Sequence, residues 1–193
     1  MTSPRVKELI RENAEFAKTW SSPFTMKQMR EVLTDPVICL TCMDPRVVPE
    51  QFLGSHPMIA VFRNAGGRAT PDVVRTINTL QSLAYKVQKA TVMVVHHTGT
   101  YEDCGPFIVF HKLINAHCLD CGMTHLTDEG IKKDILERGI DGAEGINFGC
   151  FRGEDIKKSV LDDVQTLKAE RLLKDVEVRG FVLTTETGLL EEL

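Results

Sequence analysis

The sequence predicts an α/β fold with a central, mostly parallel β-sheet flanked by helices. Three observations predict it. Short apolar runs alternate along the chain with stretches of helical periodicity. The middle runs are apolar at nearly every position, as strands covered on both faces require. Residues able to carry chemistry follow directly on those runs, beyond the carboxyl ends of the strands, where parallel sheets gather their ligands.

Taken in order, Ser3-Pro4 reads as an N-cap with proline at the first helical position. Val6, Leu9, Ile10, Asn13, Phe16, Ala17 and Trp20 then recur at helical spacing and give one apolar face, suited to a partner subunit. Residues 25–33 form a second short helix, stopped before Asp35-Pro36. Val37 to Cys42 and Met58 to Arg63 are strands. Thr70-Pro71 opens a helix whose inner side carries Val73, Val74, Ile77, Leu80, Ala84 and Val87. Ala90 to Val95 is a third strand. Residues 128–138 and 154–173 are helical, the latter aligning Ile156, Val160, Val164 and Leu167. Val176 to Leu183 is the last strand, Glu186-Thr187-Gly188 a turn, and Glu191-Glu192 a solvated tail.

The 193 residues suit one domain, 1–193, with an N-terminal helical arm over 3–33. Hydrophobic residues at 42% and charged residues at 26% are ordinary for a globular protein. A net charge of −4, with basic residues scattered, gives no nucleic-acid footprint. No apolar run approaches the roughly 20 residues that span a bilayer, and the N-terminus lacks a signal-peptide core. The expectation is therefore a cytoplasmic protein with no membrane partner. In a reducing compartment the six cysteines, Cys39, Cys42, Cys104, Cys118, Cys121 and Cys150, suggest metal or thiol chemistry, unless they are small buried hydrophobes.

Cys42-Met43-Asp44-Pro45-Arg46 follows the first strand and His96-His97-Thr98 follows the third; Asp103-Cys104-Gly105 and Asp120-Cys121-Gly122 come later. A Cys, a His and a Cys meeting at one sheet edge would give Zn²⁺ three ligands and leave the fourth tetrahedral position open, the mark of a catalytic site. Arg46 can hold Asp44 bidentately, which keeps the carboxylate ionised and off the metal. Asp44 would then orient a water or hydroxide on the metal, available near pH 7.

Together with Arg63-Asn64-Ala65-Gly66-Gly67, these motifs resemble the β-class carbonic anhydrases, and Ile146-Asn147-Phe148-Gly149 resembles their small fungal and bacterial members. The resemblance implies a β-carbonic anhydrase-like fold. It implies reversible hydration of CO₂ to bicarbonate by hydroxide on one zinc ion per subunit, a carbonate dehydratase activity. It places Cys42, His97 and a downstream Cys on the metal and makes Asp44 and Arg46 the catalytic dyad. Backbone around Gly122 would line the substrate pocket. It further implies a homodimer or higher homo-oligomer in which the N-terminal helices embrace the neighbour.

Two departures stand out. Family members read His-Thr-Asp-Cys-Gly without a break, whereas here residues 99–119 intervene between Thr98 and Asp120. Cys121 carries the downstream family context and is the expected third ligand; Cys104, nearer to His97, is the alternative. The inserted segment is a whole number of codons, and Gly99-Thr100 and Leu119-Asp120 permit splice-site dinucleotides. A translated intron that weakens the enzyme is therefore one hypothesis. The second departure is Phe52 to Pro57, which lacks the family's Gly-Asp-Ala.

Rival readings follow from the same residues. Cys39-x-x-Cys42 and Cys118-x-x-Cys121 permit a structural four-cysteine zinc site, but residues three apart on a strand face opposite ways. A thioredoxin-like redox pair leaves Asp44 and Arg46 without a role. His96 should diverge from His97 and not bind metal. His111, His117 and His125 read as surface groups, with a proton relay the functional alternative for His125, and Cys150 reads as inert. Similar scaffolds hydrolyse carbonyl sulfide or carbon disulfide, and a zinc-binding protein without catalysis would carry the same ligands.

Overall fold

The computed structural model describes residues 3–22, 25–32, 36–54, 59–83, 90–98 and 121–193. Residues 99–119, the expected insertion, with Cys104, Cys118, His111 and His117, lie outside them, as do Met58, Ala84 and Val87. The chain divides into two units, Met1–Val32 and Leu33–Leu193.

The first unit holds α1 (Pro4–Phe16) and α2 (Met26–Val32). Ser3 stands at the N-cap of α1 as expected, but its side chain makes no capping bond. The helix buries none of its residues, and Val6, Leu9, Ile10 and Phe16 are exposed.

The second unit is built on five strands in the order β2-β1-β3-β4-β5. They are β1 (Val37–Cys42), β2 (Ile59–Asn64), β3 (Ala90–Thr98), β4 (Val176–Thr184) and β5 (Leu189–Glu192). All neighbours run parallel except β4 and β5. Its helices are α3 (Pro49–Phe52), α4 (Pro71–Leu83), α5 (Asp128–Glu137) and α6 (Ile156–Ala169).

Period-two alternation on the strands divides the core in two. Ile38 and Leu40 of β1, Val92 and Val94 of β3, and Val178 and Val182 of β4 meet Val73 and Ile77 of α4 and Ile156, Val160, Val164 and Leu167 of α6. Full burial of each such side chain contributes roughly 1.5–3 kcal/mol. Gly180 brings α6 close: a Cβ there would lie 2.7 Å from Val160 Cγ1. On the opposite face Cys39, Val95, Phe181 and Leu183 pack with Val47, Phe52 and Leu53, around the single turn of α3.

Three differences from the sequence expectation exceed a single residue at an element's end. β3 runs on to Thr98 because β4 pairs with it throughout, placing His96 opposite Val182 and His97 opposite Leu183. The helix expected over 154–173 is broken: Glu170 turns extended (φ −74°, ψ 117°), and a 3₁₀ turn then directs Leu173 into the core. The acidic end is not a free tail. The turn with Gly188 at φ +69° reverses the chain, and β5 pairs antiparallel with β4, flanked by Lys157–Glu191 and Arg179–Glu192 ion pairs. Four residues carrying two acids offer no periodicity by which to see a strand. Among the described residues no helix is long and apolar enough to cross a membrane.

Candidate metal centre

The central strands β1 and β3 end side by side, and their carboxyl ends deliver Cys42 and His97. Cys121 arrives from the segment before α5, as the N-cap of a 3₁₀ turn, Gly122–His125. Its carbonyl accepts from Thr124 N at 2.8 Å and from Thr124 Oγ1 at 2.7 Å, which fixes the turn locally. One ligand atom from each of Cys42, His97 and Cys121 lies within 4.8 Å of the others. All three residues are buried, and the two sulfur atoms are 3.9 Å apart.

The donor set fits a metal. Both ring nitrogens of His97 are buried without a hydrogen-bond partner, a costly state for an imidazole facing only protein. Two sulfurs and a nitrogen are the soft and borderline donors that zinc selects, and three of them leave a tetrahedral position for water. The sulfurs share a proton unequally. The bond from Cys121, the adjacent His97 imidazole and amide donors from Asp44 and Gly66 lower the Cys42 thiol pKa against the effect of burial; the contact with Cys42 and burial raise that of Cys121. A cation held by both sulfurs would remove that conflict by favouring both thiolates.

Asp44 and Arg46 pair as the spacing predicts. Arg46 Nε donates to Asp44 Oδ1 at 3.0 Å and Nη2 to Oδ2 at 2.7 Å, while Arg46 N donates to Oδ1 at 2.9 Å. The guanidinium holds the Asp44 carboxyl at about 2 against the usual 3.8. Both carboxylate oxygens are thereby directed to Arg46.

Gly122 is exposed, and a Cβ there would meet nothing within 4 Å, so its backbone faces open space beside Cys121. His125, at the end of that turn, is exposed. Cys39 lies apart, in the core on the far side of the sheet, its thiol pushed up to about 12 by burial. His96 points away from the sulfurs, with Nδ1 2.8 Å from Ser159 Oγ on α6. Cys150 packs beside the cluster of Cys42, Cys121 and Met123, its thiol raised to about 11 by burial and by Asp128.

Sequence reasoning missed the roles of Arg63 and Asn64. Arg63 Nε donates to Cys42 O at 3.1 Å and its Nη2 donates to Asp44 O, so one guanidinium clamps the loop that carries the thiol and the carboxylate. Asn64 closes the glycine turn through Arg68 N (2.7 Å) and Arg68 O (2.8 Å). Gly67, at φ +70°, is pressed to the end of β1: a Cβ there would sit 3.0 Å from Thr41 C and 3.1 Å from Cys42 N. Only glycine meets both demands.

No family model matches the chain. Among curated proteins it is 29% identical over 176 residues to the carbon disulfide hydrolase of Acidianus sp. (strain A1-3), covering 79% of this chain and 74% of that one. It is 26% identical over 191 residues to β-carbonic anhydrase 1 of Mycobacterium bovis, covering 96% of each. Among solved structures, the carbonic anhydrase of Streptococcus mutans superposes with a TM-score of 0.71 at 24% identity, over 100% of this chain and 99% of that one. A carbon disulfide hydrolase in its apo form superposes at 0.57 with 25% identity, over 98% and 90%.

Proposed function

We propose that this chain, which has the fold of the β-class carbonic anhydrases and resembles them in sequence, is a carbonate dehydratase that interconverts CO₂ and bicarbonate. Cys42, His97 and Cys121 hold one zinc ion per subunit. The observation that carries this reading is the convergence of those three donors within 4.8 Å, with His97 lacking any other partner.

Bound zinc would supply Lewis acidity and make hydroxide available as a nucleophile near neutral pH. The chain's own residues do the rest. Asp44 stays ionised because Arg46 donates to both its oxygens, so a remaining lone pair would accept a hydrogen bond from the nucleophile and orient it. Arg46 holds Asp44 in that geometry, and Arg63 fixes the loop from below. The open backbone at Gly122 lines the substrate position. The protein acts in the cytoplasm as a homodimer or higher homo-oligomer, with the uncovered apolar face of α1 against a neighbour. We read 1–193 as a single catalytic domain with 3–33 as its arm and 99–119 as an insertion.

Stopped-flow CO₂ hydration by zinc-loaded protein, before and after chelation, tests this. Metal-dependent turnover is expected; bound zinc with no turnover would select a zinc-binding protein without catalysis. The similarity to the Acidianus carbon disulfide hydrolase favours one second reading, hydrolysis of carbonyl sulfide or carbon disulfide. Linear triatomic electrophiles make the same demands on the ligands. Sulfide release from both compounds, measured on the same preparation, separates the two: faster sulfide release than CO₂ hydration would reassign the substrate.

A further inference from the structure

Behind the candidate ligands lies a buried polar cluster that the proposed reaction does not use. Asp163 of α6 is 3% exposed. A carboxylate in that position is costly unless paired. Its Oδ1 accepts from Ala69 N at 3.1 Å, and its Oδ2 lies 3.1 Å from both Arg68 Nε and His96 Nε2. The Arg68 guanidinium sits over the Phe151 ring at 5.4 Å, and that ring stacks on His96 at 5.4 Å and 21°. Carboxylate, guanidinium, phenyl and imidazole therefore close a ring. Ser159 completes it. Its hydroxyl proton goes to Ile156 O at 2.8 Å, so its oxygen accepts the His96 Nδ1 proton at 2.8 Å.

We infer that Asp163, acting with His96 and Ser159, is a positioning residue for the metal centre. The inference rests on reading Cys42, His97 and Cys121 as metal ligands. The carboxylate reaches two of them through short paths. On one side it holds Ala69 and Arg68, whose backbone Asn64 also grips; that turn presses Gly67 against Thr41 and Cys42. On the other side it stands 3.1 Å from Nε2 of His96, whose ring is held by Ser159 at Nδ1 and stacked on Phe151, and which precedes His97 on β3. Helix α6 thus fixes the end of β3 and the glycine turn to one another, and with them the separation of imidazole and thiolate. Partners of this kind set ligand orientation and tune metal affinity.

Asp163→Asn keeps the shape and the acceptor for Ala69 N while removing the charge. Cobalt(II) is the probe, since its visible bands report ligand geometry. Asp162→Asn, a carboxylate on the solvent side of the same helix, is the control. For Asp163→Asn the expected result is a shifted cobalt spectrum, cobalt and zinc affinity about 10-fold weaker, and a fall in kcat with KM unchanged. Asp162→Asn should match wild type. Should Asp163→Asn fail to fold, Ser159→Ala carries the test: it deletes one oxygen, leaves the buried charges in place, and should shift the same bands by less. Wild-type cobalt spectrum and affinity in whichever of the two variants folds, with only thermal stability lowered, would overturn the inference. Failure of the wild-type chain itself to bind cobalt through two sulfurs would overturn the underlying reading instead.

Discussion

Replacing Arg46 with glutamine removes the charge that holds Asp44 ionised while keeping most of the side chain's length. Arg46 donates to both oxygens of Asp44, at 3.0 and 2.7 Å, and the carboxyl sits at about 2 against 3.8 unperturbed. A shift of that size corresponds to about 2.5 kcal/mol of preference for the charged form. The Arg46 side chain is 46% exposed, so solvent screening reduces the usable part to about 1–2 kcal/mol. The native pKa is the lower one, so this stability is present above about pH 4 and is lost as pH falls through about 2. Arg46→Gln should therefore lower unfolding free energy by about 1–2 kcal/mol at neutral pH, and by about half of that near pH 3. Urea unfolding at both pH values measures it, and a ¹³C titration should find the Asp44 carboxyl moved up toward 3.8. CO₂ hydration should fall about 10- to 100-fold, in kcat more than KM. An unchanged Asp44 titration, or a stability loss identical at both pH values, would refute the reasoning.

Three further outcomes follow from the same geometry. Cys121→Ser should weaken zinc binding by more than about 100-fold whereas Cys104→Ser should not, measured by competition with a chromophoric chelator; the reverse order would transfer the ligand role. Gly67→Ala must place a methyl 3.0 Å from Thr41 C at a φ of +70°, so it should cost about 1–3 kcal/mol in thermal unfolding and loosen the metal; a neutral effect would show that the turn can retreat. A chain lacking 99–119 joins Thr98 directly to Asp120 and should bind zinc at least as tightly as the full chain, by the same competition. Loss of metal on that deletion would show the segment to be part of the site, and transcript sequencing that finds no shorter form would remove the intron hypothesis.

The layout of the sheet and the meeting of Cys42 and His97 at its edge were legible because each rests on a local signal. β1 was read with its observed limits because a run apolar except at Thr41 ends on Cys42, and parallel topology sends strand ends to one edge. The opposed faces of Cys39 and Cys42 followed from period two alone, and the same rule separated His96 from His97. The Asp44–Arg46 pair follows from a two-residue spacing in a tight turn. What was not legible depends on tertiary neighbours. Extension of β3 through Thr98 needs β4 beside it, and β5 exists only because the Gly188 turn returns the chain to an edge. The Arg63 clamp joins residues 21 apart, across two strands. Asp163 did leave a trace, since with Ser159 it falls on the inward stripe of α6 among Ile156, Val160, Val164 and Leu167. A charge on an apolar stripe asks for a buried partner, but the sequence does not say that the partners are Arg68 and His96.

X-ray absorption at the zinc edge of the reconstituted full-length chain addresses the central claim most directly. One zinc per chain is expected, with two sulfur neighbours at about 2.3 Å and two lighter ones at about 2.0–2.1 Å, one of them an imidazole. A four-sulfur shell, or no bound zinc in a folded chain, would contradict it.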